Sequence, residues 1–171
     1  MQAHHKCLWL LGLSGAGKTT LATHLASYLK SKYSKVVVLD GDQLRDSLNR
    51  DLGFSIHDRS ENVRRTAEVA KLFLNEGYWV IVALITPFEI MRWSNRKILG
   101  KDYIEIFINT PLEVCRQRDP KGYYSRVARK EITEFTGIDS PFEIPEHAHL
   151  VLGTDTGIEE SMRCLIKHIG E

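Results

Sequence analysis

Between Leu10 and Thr20 the chain reads LLGLSGAGKTT: an apolar run stops, three glycines fall within six residues, and a lysine and two threonines follow. Glycines also mark ordinary turns. Here, however, Gly12, Gly17, Lys18 and Thr19 satisfy the spacing GxxxxGK(S/T), with strand-like residues before and helix-like residues after. Glycine lets backbone N–H groups turn inward and approach anionic oxygens closely. The start of the following helix adds unpaired donors and its dipole. Lys18 is placed to reach the β- and γ-phosphates of a nucleotide, and the Thr19 hydroxyl to ligate Mg²⁺. The expected cradle is Gly12, Leu13, Ser14, Gly15, Ala16, Gly17, Lys18 and Thr19, with Thr20 as a helix residue at its edge. The loop alone names no substrate, because kinases, ATPases and GTPases all use it. No NKxD guanine-reading motif occurs, which counts against a GTP switch.

A second polar cluster, LDGDQLRDSLNRDLGFSIHDRSEN, runs from Leu39 to Asn62. Asp40 and Asp42 flank Gly41 at the end of an apolar run. One can face the phosphate loop while the other caps the next helix, since Asp is a favoured N-cap. Asp42 is the better-placed carboxylate for Mg²⁺ or for a substrate hydroxyl proton, although both could simply be caps. Arg45, Arg50, Arg59, Arg64 and Arg65 bring five guanidiniums into about twenty residues. Such forks suit sulfate and phosphate oxygens. Pairs such as Glu61–Arg65, spaced i,i+4, also fit a solvated helix face, and at least half of the five are expected there. Phe54 follows Gly53 in a loop, where its ring either closes on the core or stacks on a base.

A third cluster, RQRDPKGYYSRVARKEITEFTGID, covers Arg116 to Asp139. Its position after a strand suits a lid that closes over a nucleotide and excludes water. Arg118 and Lys121 are the cations expected near the phosphates or the base, and Phe135 is a second loop aromatic. The alternative is an exposed basic helix.

These clusters need elements to hold them. CLWLLGL predicts a first strand, and KTTLATHLASYLKSK a helix with Leu21, Leu25 and Leu29 on one face. KVVVLD predicts a buried strand. ENVRRTAEVAKLFLNEG predicts a helix through Val63, Ala67, Ala70 and Leu74 that closes on Gly77. YWVIVALIT, YIEIFINT and AHLVLGT predict three more strands, the first two stopped by Pro87 and Pro111, and GIEESMRCLIKHIG a closing helix. Strands alternating with helices imply a mostly parallel five-stranded sheet with helices on both faces. Parallel sheets bind ligands outside the carboxyl ends of their strands. The glycine loop, Asp40–Asp42, Ile85–Pro87 and the GTDT segment from Gly153 to Thr156 should therefore meet on one rim.

With 171 residues, 43% hydrophobic and 26% charged, the chain fits one soluble globular domain. A net charge of +1 gives no global basic field for nucleic acid. No apolar run reaches the roughly 20 residues that span a bilayer, and the start lacks a signal-peptide cleavage site. Cys7, Cys115 and Cys164 show no CxxC spacing, so three reduced thiols and a cytoplasmic location are expected, without a disulfide framework or zinc site.

With these residues in view, the sequence resembles the adenylylsulfate kinase (APS kinase) family. The matching motifs are GLSGAGKTT, LDGDQLR, LNRDLGFS, DRSENVRR, EVAKLF, DPKG and EITEFTGIDSPFEIPE, running from Gly12 to Glu146. The first is shared with other kinases, whereas DGDxxR with LGF, DRxEN and FTGID is far more specific. The resemblance implies a three-layer P-loop NTPase fold with a lid at about 116–139. It implies that ATP, with Mg²⁺, phosphorylates the ribose 3′-hydroxyl of adenosine 5′-phosphosulfate (APS), giving PAPS and ADP. Lys18, Asp42 and Thr86 would serve catalysis, with Thr19 and Asp42 on the metal. Arg118 and Thr156 would join the phosphate loop around ATP. Arg45, Arg59 and Asn62 would hold the phosphosulfate, Phe54 and Phe135 would sandwich the adenine, Ile85 and Thr86 would line the acceptor pocket, and Lys121 would arrive with the lid. Asp42 would also meet the acceptor hydroxyl. A homodimer is implied as well.

The chain departs from the family in three places. Thr86 stands in ITP where the family usually has serine, so a phosphoenzyme role is not expected. The lid reads KGYYSRVARKE, with Ser125 in place of a lysine. Only eleven residues precede Gly12 and no sulfurylase domain is present, so neither N-terminal regulation nor a bifunctional synthase is expected. The competing expectations are a P-loop kinase for another small hydroxyl-bearing metabolite, which leaves the two loop aromatics without a task, and a nucleotide-dependent binding module, which leaves Lys18, Asp42 and Arg45 without one.

Overall fold

Side chains alternate across the first strand, β1 (Cys7–Leu11), and this alternation sorts the core into two halves. Leu8 and Leu10 face one layer of helices, while Cys7, Trp9 and Leu11 face the other. These residues belong to a computed structural model that describes residues 5–153 and 157–170. The glycine loop leads into α1 (Lys18–Lys30), which buries Leu21, Leu25 and Leu29 on the first face. β2 (Val36–Asp40) follows, then a short helix α2 (Gly41–Arg45). The long helix α3 (Ile56–Asn75) packs on the second face, and β3 (Trp79–Ala83) returns to the sheet. Next come α4 (Glu89–Leu99), a single 3₁₀ turn over Gly100–Asp102, and β4 (Tyr103–Asn109). Helices α5 (Leu112–Arg118) and α6 (Tyr123–Ala128) follow, α6 lying within the segment 116–139 where the sequence leads one to expect a lid. β5 (Leu150–Gly153) and α7 (Ile158–Ile169) close the chain.

All pairs are parallel and the sheet order is β2-β3-β1-β4-β5, the three-layer arrangement expected from the alternation of strands and helices. β1 lies between β3 and β4, with Leu8 opposite Ile81 and Ile104. Every residue of β1 and β3 is buried, as befits central strands covered on both faces. The chain runs from β1 outward to β2, comes back through β3, and then crosses to β4, so strand order switches at β1. Ligands of open parallel sheets bind at such a switch point.

Four elements differ from the sequence expectations, each for a local reason. β2 is an edge strand, and Val36 to Val38 are only half-buried. α3 begins five residues before Glu61, because the Ser55 hydroxyl caps it by accepting from the Asp58 N–H at 3.1 Å. β3 stops at Ala83, short of the expected Thr86, because Thr86 adopts φ +51° and leaves the ladder. α4 lacks an apolar stripe in the sequence because its buried side is Met91, Arg92, Asn95 and Leu99, half of it polar.

Leu25 is fully buried in the layer between α1 and the sheet. Leu25→Ala should cost about 2–5 kcal/mol in urea unfolding with an unchanged denaturant slope. A loss below about 1 kcal/mol would mean the site collapses freely and is not close-packed.

Candidate functional site

The glycine loop takes its shape from two backbone demands. Gly12 has φ +146°, and a Cβ there would sit 2.6 Å from the Ile108 carbonyl oxygen of β4. Gly17 caps α1 with φ +105°, a left-handed position that a side chain would strain. Lys18 then folds back over the loop and donates to the carbonyls of Gly12 at 3.0 Å and Leu13 at 2.7 Å. Burial pushes its ammonium from 10.5 down to about 8, with Lys121 adding to the effect and Asp42 and Asp40 opposing it. The loop is anchored by Thr110, whose hydroxyl donates to the Ala16 carbonyl at 2.9 Å, and by Tyr124, whose hydroxyl donates to the Ser14 carbonyl at 2.9 Å.

The two aspartates divide their tasks. Asp40 ends β2 and caps α2 by accepting from the Asp42 N–H at 3.0 Å. Its other oxygen accepts from the Thr19 hydroxyl at 2.8 Å. The carboxylate that meets the expected metal-ligating hydroxyl is therefore Asp40, which the sequence offers only as a candidate cap; its signal was an apolar strand run that ends in Asp. Asp42 stays exposed and forms an ion pair with Lys121 of the lid segment. Thr19 and Asp40 present adjacent hard oxygen donors beside the phosphate loop, a donor set that fits Mg²⁺.

On the other side lie the expected acceptor residues. Phe54 is 55% exposed, with the Arg45 guanidinium 4.4 Å and the Arg59 guanidinium 5.7 Å from its ring centre. That excludes a core role for this ring. Arg45 donates to the carbonyls of Leu52 at 3.3 Å and Gly53 at 3.0 Å. Arg59 is buried and reaches three partners: the Phe54 carbonyl at 2.7 Å, the Thr136 hydroxyl at 2.7 Å, and the Glu134 carbonyl. Asn62 is buried and accepts from Asn49 at 2.8 Å. Phe135 is half-buried and packs edge-on to Tyr124 at 5.0 Å and Tyr123 at 6.1 Å. Its backbone N–H and that of Glu134 both donate to Asp139, which accounts for the aspartate of FTGID. Arg64 and Arg65 instead pair with Glu61, Glu68 and Asp51 on the outer side of α3, the solvated face.

Thr86 closes this wall. It is 1% exposed and its hydroxyl accepts from the Trp9 indole N–H at 2.8 Å. A β-branched residue at φ +51° carries strain of roughly 1–3 kcal/mol, so the turn must be held from outside. In the lid, Asp119 caps α6 through the N–H groups of Tyr124 and Ser125 at 3.0 Å each, and through the Ser125 hydroxyl at 2.8 Å. The serine that departs from the family pattern thus has a structural task. Arg118 comes within 3.5 Å of the Gly15 carbonyl.

The pieces share one cleft of about 980 Å³, at the upper end of single-ligand sites of roughly 300–1,000 Å³. Its walls carry the phosphate loop, Asp40 to Asp42, Ile85 to Pro87, Arg118, Lys121, Phe54, Phe135 and Gly153. The rim expected from strand polarity therefore forms from the glycine loop, Asp40–Asp42, Ile85–Pro87 and Gly153, while residues 154–156, Thr156 among them, lie outside the described residues. Lys18, Arg45, Arg59, Arg118, Lys121 and Arg126 outnumber Asp40, Asp42 and Glu134 along its walls, which suits polyanionic ligands. Burial lowers Arg45 and Arg59 from their ordinary values, as expected of guanidiniums partly withdrawn from water. Among the described residues no group of three or more His, Cys, Asp or Glu side chains is placed to hold a metal, and the three cysteines form no disulfide. No helix among them is long and apolar enough to cross a membrane.

The family model for adenylylsulphate kinase matches residues 4–153. An adenylyl-sulfate kinase of Paraburkholderia xenovorans is 49% identical over 163 residues, covering 95% of this chain and 91% of that protein. Among solved structures, the Mycobacterium tuberculosis APS kinase in complex with AMPPNP and APS superposes with a TM-score of 0.93 at 42% identity, covering 98% of this chain and 99% of that one. A hexameric APS kinase from Thiobacillus denitrificans superposes with a TM-score of 0.73 at 27% identity, where this chain spans 98% of its own length and 29% of that chain.

The depressed Lys18 value gives a stability signature. The folded state releases the Lys18 proton near pH 8, while the unfolded chain holds it to about 10.5. Between these values the unfolded state binds more protons, so this group makes the ligand-free protein more stable as pH rises. Lys18→Met should therefore melt higher than the parent at pH 7, with an advantage that shrinks between pH 8 and 10.5. An advantage that stays constant across that window in thermal melts would show that Lys18 is not held charged at a cost.

Proposed function

This chain belongs to the adenylylsulphate kinase family, and on that premise we propose that it transfers the γ-phosphoryl group of ATP to the ribose 3′-hydroxyl of APS, yielding PAPS and ADP. The observation that carries this reading is the pairing of a phosphate loop with two loop aromatics and two guanidiniums in one cleft. A triphosphate needs the loop, and a sulfated adenine nucleotide needs the aromatics and the forks. A sugar or simple alcohol would need neither Phe54 nor Phe135.

In this proposal ATP lies along Ser14 to Thr20, which line the cleft, with Gly12 and Leu13 shaping the loop from behind, Lys18 on the β- and γ-phosphates, and Arg118 joining from the lid side. APS stacks its adenine between Phe54 and Phe135, and its phosphosulfate meets Arg45 and the guanidinium N–H groups that Arg59 has left over. Asn62, Ile85 and Thr86 shape the wall around the ribose. The 3′-oxygen attacks the γ-phosphorus, the bond to the β,γ-bridging oxygen breaks, and the hydroxyl proton passes to Asp42. Thr19, Asp40 and Asp42 are the residues that would hold Mg²⁺, which neutralises charge on the transferring group when bound. Lys121 pairs with Asp42, which brings a cation to the edge of the cleft where the ligand phosphates would lie. Transfer then rests on positioning and charge neutralisation with no covalent enzyme intermediate, consistent with a Thr86 hydroxyl that is buried and bonded to Trp9.

The proposal extends to organisation. Residues 1–171 act as one kinase domain with its lid at about 116–139, in the cytoplasm, as a homodimer. The free thiols agree with a reducing compartment.

ADP release with APS and Mg·ATP, set against a panel of alcohols and sugars, tests the acceptor directly. Asp42→Ala should lower transfer by roughly 10²-fold or more, as expected for loss of a positioned proton acceptor, and leave the fold intact because its side chain is exposed. Near-normal turnover would remove Asp42 from the mechanism. Phe54→Ala should weaken APS binding by about 1–3 kcal/mol without changing the ATP affinity. An unchanged APS affinity would mean that this ring does not stack on the acceptor.

A further inference from the structure

The acceptor wall is a strained turn whose conformation is fixed entirely from behind. Each of its three carbonyls accepts a hydrogen bond from a different part of the chain. Ile85 receives the Gly12 N–H of the phosphate loop at 3.4 Å, Thr86 receives the Arg92 guanidinium of α4 at 3.2 Å, and Pro87 receives the Glu143 N–H beyond the lid at 2.9 Å. The Thr86 side chain is fixed separately by Trp9 of β1. A residue in a disfavoured backbone region persists only where its surroundings over-determine it. At Thr86 the two side chains that do this are Arg92 and Trp9.

Arg92 is an unusual tool for the purpose. It is 1% exposed, and a guanidinium is seldom taken out of water without charged partners. Its Nε donates to Glu89 at 2.8 Å, and the fully buried Glu105 of β4 lies 3.9 Å away. Glu105 is in turn bound by Arg96 at 2.8 Å and by the Tyr103 hydroxyl at 3.0 Å. A partly buried ion-pair network of this kind adds little net stability over packed apolar residues. It does supply a rigid, directional donor that reaches one carbonyl.

We propose that Arg92, seconded by Trp9, is a positioning residue for acceptor binding: it holds the Ile85–Thr86–Pro87 turn in its strained form from outside the cleft, without touching either substrate. The inference rests on the proposed acceptor role of Ile85 and Thr86. It assigns the Glu89–Arg92–Arg96–Glu105 network, in which Arg92 and Glu105 are buried and Glu89 and Arg96 reach solvent, to that wall and away from general stability.

The test compares the parent with Arg92→Lys and Trp9→Phe, measuring kcat, KM for APS, KM for ATP and the thermal midpoint of each. Lysine keeps the charge beside Glu89 and Glu105 but loses the fork, and phenylalanine keeps a ring but loses the N–H donor. The expected result for both is a rise in KM for APS of about 5- to 20-fold, with KM for ATP within about twofold, since misplacing a substrate wall acts on the substrate it touches. Parallel rises in both KM values, unchanged KM values, or a lowered thermal midpoint with normal kinetics would overturn the proposal and leave the network purely structural. If Arg92→Lys does not fold, Trp9→Phe decides the question by the same criteria. A parent enzyme that fails to phosphorylate APS at all would count against the proposed function, a result distinct from any of these.

Discussion

No side chain fits at the first residue of the phosphate loop. A Cβ on Gly12 would press to 2.6 Å on a carbonyl of β4, and the Gly12 N–H meets a carbonyl just past β3 at 3.4 Å. One residue thus ties the ends of β1, β3 and β4 together. In a parallel sheet all carboxyl ends lie on one edge, so this contact brings the phosphate loop beside the Ile85–Pro87 turn, the proposed acceptor wall. Two substrates can meet in line only if their sites are held at a fixed offset. Here that offset is set by backbone contact, the least adjustable kind of contact a fold offers.

The charged groups of the cleft follow a second rule. A cation half-withdrawn from water is costly unless it has a partner. Several cations of the cleft accordingly have partners within the chain. Lys18 rests on two loop carbonyls, Arg45 on two more, and Lys121 on Asp42. Under the proposed function, substrate binding exchanges these partners for phosphate and sulfate oxygens, which are stronger acceptors than neutral carbonyls. Arg59 differs. Its three bonds join the Phe54 carbonyl to Glu134 and Thr136, the residues on either side of Phe135. Its guanidinium thereby sets the backbone spacing between the two aromatic rings.

The sheet was legible because its strands are continuous apolar runs and α1 shows its buried stripe at a spacing of four. So was the phosphate loop, whose motif needs only local geometry. The edge position of β2 was not, since composition does not report neighbours. α4 was hidden because its inner face carries Arg92 and Asn95, which only tertiary partners make tolerable. The same cause hid Asp40. A carboxylate at a strand end looks like a helix cap from the sequence, and it is one, yet its second oxygen meets Thr19 across 21 residues of chain. Asp42 and Lys121 could each be picked out by residue type, but their pairing required the lid and α2 to be seen together.

Apart from glycines, the described residues with positive φ are Thr86, Asp119, Lys130 and Glu134. All four belong to the acceptor turn or the lid segment. The three in the lid are unbranched at Cβ, so a left-handed turn costs them less. Thr86 is the exception, and it is the one bonded on both side chain and backbone by buried partners. The contrast matches the roles proposed for the two parts. A lid that opens needs turns whose conformations lie close in energy, whereas a wall that orients a hydroxyl needs one conformation and no near competitor. The apolar layers on both faces of the sheet supply the stability against which such a wall can be held strained.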